Sequence, residues 1–186
     1  MSCIRSGFFV RRDLERGKRL GSIAVDGQKY EFEDANQSWL ASWHLPSESS
    51  ITGQRHGSGA VCRTSDGQIV LISQDGVKWE HPAGRTEGDE TWRQTLDREV
   101  MEEACAVVVQ AKLLGFIQGR CIRGHEEGLV LVRALWSADV VLQDWEPEYE
   151  VKYRKLVGED EVDESIDYPW GMAEIYNRWL AESRLI

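Results

Sequence analysis

Three glutamates near the middle of the 186-residue chain, Glu99, Glu102 and Glu103, have a spacing that could do chemistry. On a helix, residues three and four apart share a face, so these carboxylates would stand together at the C-terminal end of a helix read from about Glu90 to Ala104. Like charges at such spacings repel, and a helix C-terminus disfavours anions as well. A solvated acidic face is the commoner use of a glutamate run, yet a structural helix has no reason to collect its charges there. A hard divalent cation gives one, since magnesium takes oxygen ligands in octahedral geometry. Leu96 and Val100 fall on another face and would pin the helix to a sheet.

The wider pattern is more specific. Gly84 is followed by five residues, Glu90, seven residues, Arg98-Glu99, aliphatic Val100, Met101, Glu102-Glu103, Ala104, Cys105 and Ala106. This 23-residue stretch resembles the Nudix box and matches it at every fixed position except one. Pro82-Ala83-Gly84 before it and Glu87 within it resemble the family's usual lead-in. The resemblance implies an α+β fold: a Nudix-type α/β/α sandwich around a mixed sheet, here with a small β-rich N-terminal arm. It also implies Mg2+-dependent hydrolysis, with Mn2+ as the alternative ion, of a diphosphate bond in a nucleoside-diphosphate-linked substrate such as ADP-ribose, a sugar nucleotide or a (d)NTP. The alternative implied by the same family is a domain that binds or senses a nucleotide without turning it over. All three box carboxylates are present, which favours the enzyme.

The family's roles carry over residue by residue. Glu99, Glu102 and Glu103 would be the metal ligands and catalytic carboxylates, with Glu99 a candidate general base. The backbone carbonyl of Ala83 would add a ligand. Glu90 and Arg98 would form a structural ion pair, and Gly84 is a structural position. The departure is Cys105, where the family usually has a glycine that ends the helix in a left-handed conformation. A cysteine there would cost about 1 kcal/mol of strain or let the helix run on. Outside the box, Glu150 is the first candidate for a further catalytic carboxylate, ahead of Glu146, Glu148, and the Glu126-Glu127 pair beside His125. Arg85, Trp79 and Trp136 are candidate substrate-binding residues, although core packing is the ordinary use of each tryptophan. Ala83 in place of a second glycine resembles sugar-nucleotide and ADP-ribose hydrolases, but the proline those enzymes carry beyond the box is missing.

The elements that must position these residues read as a mixed set of strands and helices. Ile23 to Phe32 alternates around Asp26-Gly27, a hairpin signal. Gly59–Arg63 and Gln68–Ser73 flank a second turn, and Val77 to Pro82 reads as a short strand. Val107–Gln118, Leu129–Asp139 and Val151–Val157 are β-branched, apolar strand candidates. Met172, Ile175, Tyr176, Trp179 and Leu180 recur at helical spacing, with Pro169 suited to the first turn. The division expected is an arm over 1–56 and a Nudix domain over 57–186. The apolar positions of the arm, Tyr30, Phe32, Trp39 and Trp43, must be covered either by their own domain or by a second subunit in a homodimer.

Bulk properties set the remaining limits. With 41% apolar and 29% charged residues the chain can build a core. A net charge of −10 argues against duplex nucleic acid and anionic membranes as partners, leaving a small nucleotide-like substrate. Cys3, Cys62, Cys105 and Cys121 form no CxxC pair, and reduced thiols in the cytoplasm are expected. No signal-peptide core or membrane-spanning run is apparent.

Overall fold

The computed structural model describes residues 22–47, 51–166 and 171–184. Cys3 and Pro169 lie outside the described residues. One mixed sheet organises the chain. Its strands are β1 (Lys29–Asp34), β2 (Gln37–His44), β3 (Gln54–Arg63), β4 (Ile69–Ser73), β5 (Ala83–Arg85), β6 (Ala106–Arg123), β7 (Val130–Leu142) and β8 (Tyr153–Val157). The order is β1-β2-β6-β7-β3-β4-β8, with β5 pairing β3 beside β4. The β3–β7 pair is parallel and the other strand pairs are antiparallel. The helices are α1 (Trp92–Ala104), α2 (Val162–Ser165) and α3 (Ala173–Ser183).

Strand alternation divides the core between two faces. Ala60, Cys62, Val70, Ile72 and Ala138 point toward α1 and pack on Leu96, Val100 and Ala104. Their sequence neighbours Val61, Ile69, Leu71 and Leu135 pack on the other side with Ile175, Trp179 and Leu180 of α3. All five residues of β4 are buried, as expected of a short apolar run covered on both faces. The expected helix-on-either-face sandwich is therefore what forms.

The first hairpin differs from the expectation. Its turn is Ala35-Asn36, both with positive φ (48° and 61°), joining β1 to β2. Two consecutive left-handed residues match the twist of a tight hairpin, and Asn tolerates that conformation while Ala does so rarely. Asp26-Gly27 instead ends a segment docked on α3: the Ala24 amide donates to Glu174 O (2.9 Å), and Gly27 donates to Trp43 O (2.9 Å). Burial decides between the two pairings. With the observed register Phe32, Trp39, Ala41 and Trp43 are all buried, whereas Ile23 and Val25 stay exposed. The arm's aromatic positions are thus covered within their own chain, β2 pairing directly with β6, and the reason given for a covering second subunit falls away. A boundary after residue 56 would cut β3. Val77 to Pro82 forms isolated bridges, Ile72 with Glu80 and Trp79 with Ile166, and is not a strand.

α1 begins two residues later than expected, at Trp92, behind a capping box. Thr91 Oγ1 accepts from the Gln94 amide (3.2 Å) and Gln94 Oε1 accepts from the Thr91 amide (2.9 Å). It ends at Cys105, which takes the left-handed conformation (φ 44°, ψ 56°) and donates its amide to Met101 O (3.0 Å). Of the two outcomes open to a cysteine here, strain is the one adopted. Cys105→Gly should raise unfolding stability in urea by about 1 kcal/mol; a loss of stability would mean that packing of the buried thiol outweighs the backbone term.

His81 is a second buried constraint. It stacks on Tyr176 (centroids 5.7 Å), meets Trp179 edge-on, and shares a 2.6 Å hydrogen bond with the Tyr176 hydroxyl. Burial, helped by the positive field of Arg63, pushes its pKa down to about 3. Its folded pKa is below the unfolded value of about 6.5, so protons favour the unfolded chain. The stability is full above that value and drains away as pH falls toward the folded pKa. Between about pH 7 and pH 5 the loss should be about 2 kcal/mol. His81→Phe should flatten this slope, and an equal slope in both proteins would rule the assignment out.

Candidate active site

α1 carries two adjacent stripes. Leu96, Val100 and Ala104 bury into the sheet, and Thr95, Glu99 and Glu103 beside them are buried polar residues. The second stripe lies over β5. A Cβ on Gly84 would overlap the Glu99 carboxyl group, so a glycine is what lets that carboxylate lie against the strand. Glu103 Oε2 accepts the Ala83 amide at 2.9 Å, one residue earlier. β5 is itself held by β3, with Gly59 opposite Ala83, Ser58 opposite Gly84 and Gly57 opposite Arg85.

Arg98 gathers the rest. Its Nε donates to Glu90 Oε1 (2.7 Å), and its Nη2 to Glu90 Oε2 (3.0 Å) and Arg85 O (2.7 Å). Its Nη1 reaches Glu99 Oε1 (3.0 Å) and Glu102 Oε2 (3.1 Å). A guanidinium has five N–H donors, and five acceptors are arranged around this one. Glu90 also accepts from the Glu87 amide (3.0 Å) and the Thr95 hydroxyl (3.0 Å). The Arg98 hydrogen bonds, with these others, lower the Glu90 pKa to about 2. Loop and helix are thereby fastened at Glu90, the position the sequence pattern assigned to that task.

The acidic helix end has a second source of positive charge that the sequence pattern does not reveal. Arg154 of β8 donates through Nη1 to Ala104 O (2.7 Å) and Cys105 O (3.1 Å), capping the carbonyls of α1, and its guanidinium lies 4.9 Å from the Trp145 ring centroid. A third arginine, Arg133 of β7, stands in the field of Glu103, Glu80 and Glu99. Strand register brought these two to α1 from 50 and about 30 positions away in the chain, and local spacing gives no hint of either.

The other predicted residues sort by face. Trp136 packs with the α1-side core, opposite Ala60. Trp79 packs with the α3-side core, and the Lys155 ammonium lies 4.3 Å from its ring centroid, over the face a flat ligand would use. Glu150 is half-buried in the segment before β8, next to Val151, which is buried under α1. His125 is exposed in the β6–β7 turn.

The donor set suits a hard divalent ion: three carboxylates on one helix face, with two of them anchored on backbone at Ala83-Gly84. Among the described residues no three acidic or metal-binding side chains converge on one point. Arg98 lies between Glu99 and Glu102 instead, and supplies part of the positive charge they need.

Residues 53–179 match the family model of the NUDIX domain. The chain belongs to the Nudix family. A pyrophosphohydrolase from Bacillus subtilis, BsRppH, has a similar structure: TM-score 0.60, 20% identity, 84% of this chain and 96% of that one covered. A NUDIX hydrolase from Nitrosomonas europaea gives a TM-score of 0.52 at 21% identity, covering 71% and 91%. A MutT protein from Methanosarcina mazei gives 0.51 at 18%, covering 73% and 98%. These similarities support the shared fold. No curated protein sequence matches the chain. As a Nudix hydrolase, the protein is an enzyme of the class that cleaves the diphosphate linkage of nucleoside diphosphate derivatives, generally with divalent cations.

Arg98→Ala should lower unfolding stability by about 2 kcal/mol, because it strands three carboxylates at once. Arg98→Lys should recover less than half of that, since an ammonium cannot reproduce the fork. Urea unfolding of the three proteins decides the matter. Unchanged stability in Arg98→Ala would move this residue from scaffold to substrate contact.

Proposed function

We propose that the protein hydrolyses the phosphoanhydride bond of a nucleoside-diphosphate-linked substrate, such as ADP-ribose, a sugar nucleotide or a (d)NTP, with Mg2+ as cofactor and Mn2+ able to replace it. The observation that carries this reading is the seating of Glu99 and Glu103 on the Ala83-Gly84 backbone beside Glu102. Repulsion among three carboxylates on one helix face is tolerated in a folded protein when the face has a cation to bind.

In this reading Glu99, Glu102 and Glu103, with the Ala83 carbonyl, hold the ion. What a divalent ion supplies when bound is charge for the phosphates and acidification of a coordinated water. The chain's own residues do the rest. Gly84 and the Ala83 amide fix the carboxylates before substrate arrives, so little reorganisation is left for the reaction. Arg98 orients Glu99 and Glu102 from one side. Glu99 is the candidate to accept the proton of the attacking water, and Glu150 is the candidate carboxylate from outside the helix. Arg85, at the end of β5, is the candidate to meet a phosphate oxygen. The buried free thiols of Cys62, Cys105 and Cys121 fit a reducing cytoplasm. Cys62 in particular is no nucleophile: burial, with the Glu103 charge, raises its pKa to about 12.

A panel of phosphorylated metabolites incubated with Mg2+, read by phosphate release with and without phosphatase, tests the proposal. At least one diphosphate-linked compound should be cleaved, EDTA should abolish the cleavage, and Glu103→Gln should reduce turnover by about a hundredfold or more while leaving the fold intact. Full turnover in excess EDTA, or in Glu103→Gln, would contradict it. Tight nucleotide binding without turnover would mean a sensing domain.

A further inference from the structure

We propose that Arg154 of β8 is a positioning residue for the metal-binding face: it fixes the left-handed cap at Cys105, and through that cap the last turn of α1, which carries Glu102 and Glu103. The inference rests on the reading of Glu99, Glu102 and Glu103 as a cation site and adds to it a residue outside the Nudix box.

The last turn of α1 needs a restraint from outside the helix. Its final carbonyls have no partners within it. The turn contains no basic residue, and Glu102 and Glu103 add negative charge to the negative end of the helix dipole. The residue that closes it is Cys105, at φ 44° and ψ 56°, a conformation that glycine adopts freely and cysteine holds only under strain.

Arg154 supplies the restraint from β8. It is opposite Ile72 of β4, whose side chain lies in the α1-side core, so it leaves its strand on that same side. Its Nη1 donates to Ala104 O (2.7 Å) and Cys105 O (3.1 Å), the carbonyls before and after the strained Cα. Both Nη atoms lie 3.3 Å from Gln143 O, and the guanidinium lies 4.9 Å from the Trp145 ring centroid. One fork thus ties the end of α1 to the segment that leads into β8 and carries Glu146, Glu148 and Glu150.

Charge balance does not account for this arrangement. Among the described residues Arg154 makes no ion pair, and each of its hydrogen bonds goes to a main-chain carbonyl. Arg98, by contrast, donates to the carboxylates of Glu90, Glu99 and Glu102. A cation that stands beside an acidic helix and bonds only backbone acts on position. Glu103 directly precedes Ala104, and its carboxylate takes the Ala83 amide at 2.9 Å, so a rotation of the last turn would carry both Glu103 and Glu102 away from β5. A hard ion that demands octahedral geometry tolerates little such displacement. Residues that orient metal ligands without touching the metal are typically worth about tenfold or more in affinity.

Mn2+ affinity, read by electron paramagnetic resonance on the full chain without substrate, is the test. The wild type should bind the ion. Arg154→Gln should weaken binding by about tenfold or more, although loss of a cation beside an acidic face would by field alone tighten it. Arg154→Lys keeps the charge without the fork and should recover only a small part of the loss. Lys155→Gln, which removes the neighbouring charge of β8, should bind as wild type does. In a Cys105→Gly background the cap is unstrained, and Arg154→Gln should cost less Mn2+ affinity there than it does alone. That background and Arg154→Lys keep the comparison available if Arg154→Gln by itself is too unstable to titrate, and circular dichroism at the titration temperature checks that each protein is folded. A folded Arg154→Gln protein with a lower melting temperature and wild-type Mn2+ affinity overturns the proposal, because the residue would then serve stability alone. So does full recovery in Arg154→Lys, which would reduce the effect to charge, or an equal loss in the two backgrounds, which would take the cap out of it. Absence of Mn2+ binding in the wild type would overturn the cation site itself, and this inference with it.

Discussion

Arg98 is the side chain that ties the acidic face of α1 to the loop before it. Glu90, Glu99 and Glu102 all take hydrogen bonds from this one guanidinium, and its remaining donor closes on the Arg85 carbonyl. Without that hub, the loop after β5 would have no tie to the middle of the helix, and two carboxylates one turn apart would face each other unscreened. The pair with Glu90 lies at side-chain exposures of 20% on both partners, dry enough for a bidentate fork to matter more than an ordinary surface ion pair. Arg154 completes the arrangement from β8 by taking the carbonyls of Ala104 and Cys105. A helix end that gathers negative side chains on top of its own dipole is thus balanced by two arginines from different parts of the fold.

β3 is the element on which these positions converge. It pairs parallel with β7 on one edge and antiparallel with β4 and β5 on the other. Gly57 and Gly59 allow β5 to approach closely: a Cβ on either would strike β5. The strand that presents Ala83 and Gly84 to the helix is therefore fixed by backbone sterics, and the carboxylates inherit that precision through the Ala83 amide and the contact over Gly84.

How much of this could be read in advance depends on whether the signal is local. The box is local, and its helix, its Glu90–Arg98 pairing and its three carboxylates occupy the places their spacing implied. The long strands β6 and β7 and the periodicity of α3 were also legible, because β-branched runs and a 3.6-residue stripe are properties of short windows. The first hairpin was not. Asp26-Gly27 is the stronger turn signal by composition, yet Ala35-Asn36 turns the chain, because only that register buries Phe32, Trp39 and Trp43 together. Trp79 similarly reads as an aromatic beside the box, whereas its ring carries Lys155 on the α3 side of the sheet. Arg133 and Arg154 lie far from the box in sequence, and their proximity to it is a consequence of strand order alone.

The central claim is that the Glu99, Glu102 and Glu103 face is a cation site built into the folded state. Thermal unfolding with increasing MgCl2, against NaCl at matched ionic strength, tests it without any knowledge of the substrate. An ion that binds only the folded protein must raise the melting temperature with concentration. The account predicts such a rise for MgCl2 or MnCl2 over NaCl in the wild type, and its loss in Glu103→Gln. A melting temperature that responds identically to the magnesium and sodium salts would contradict it.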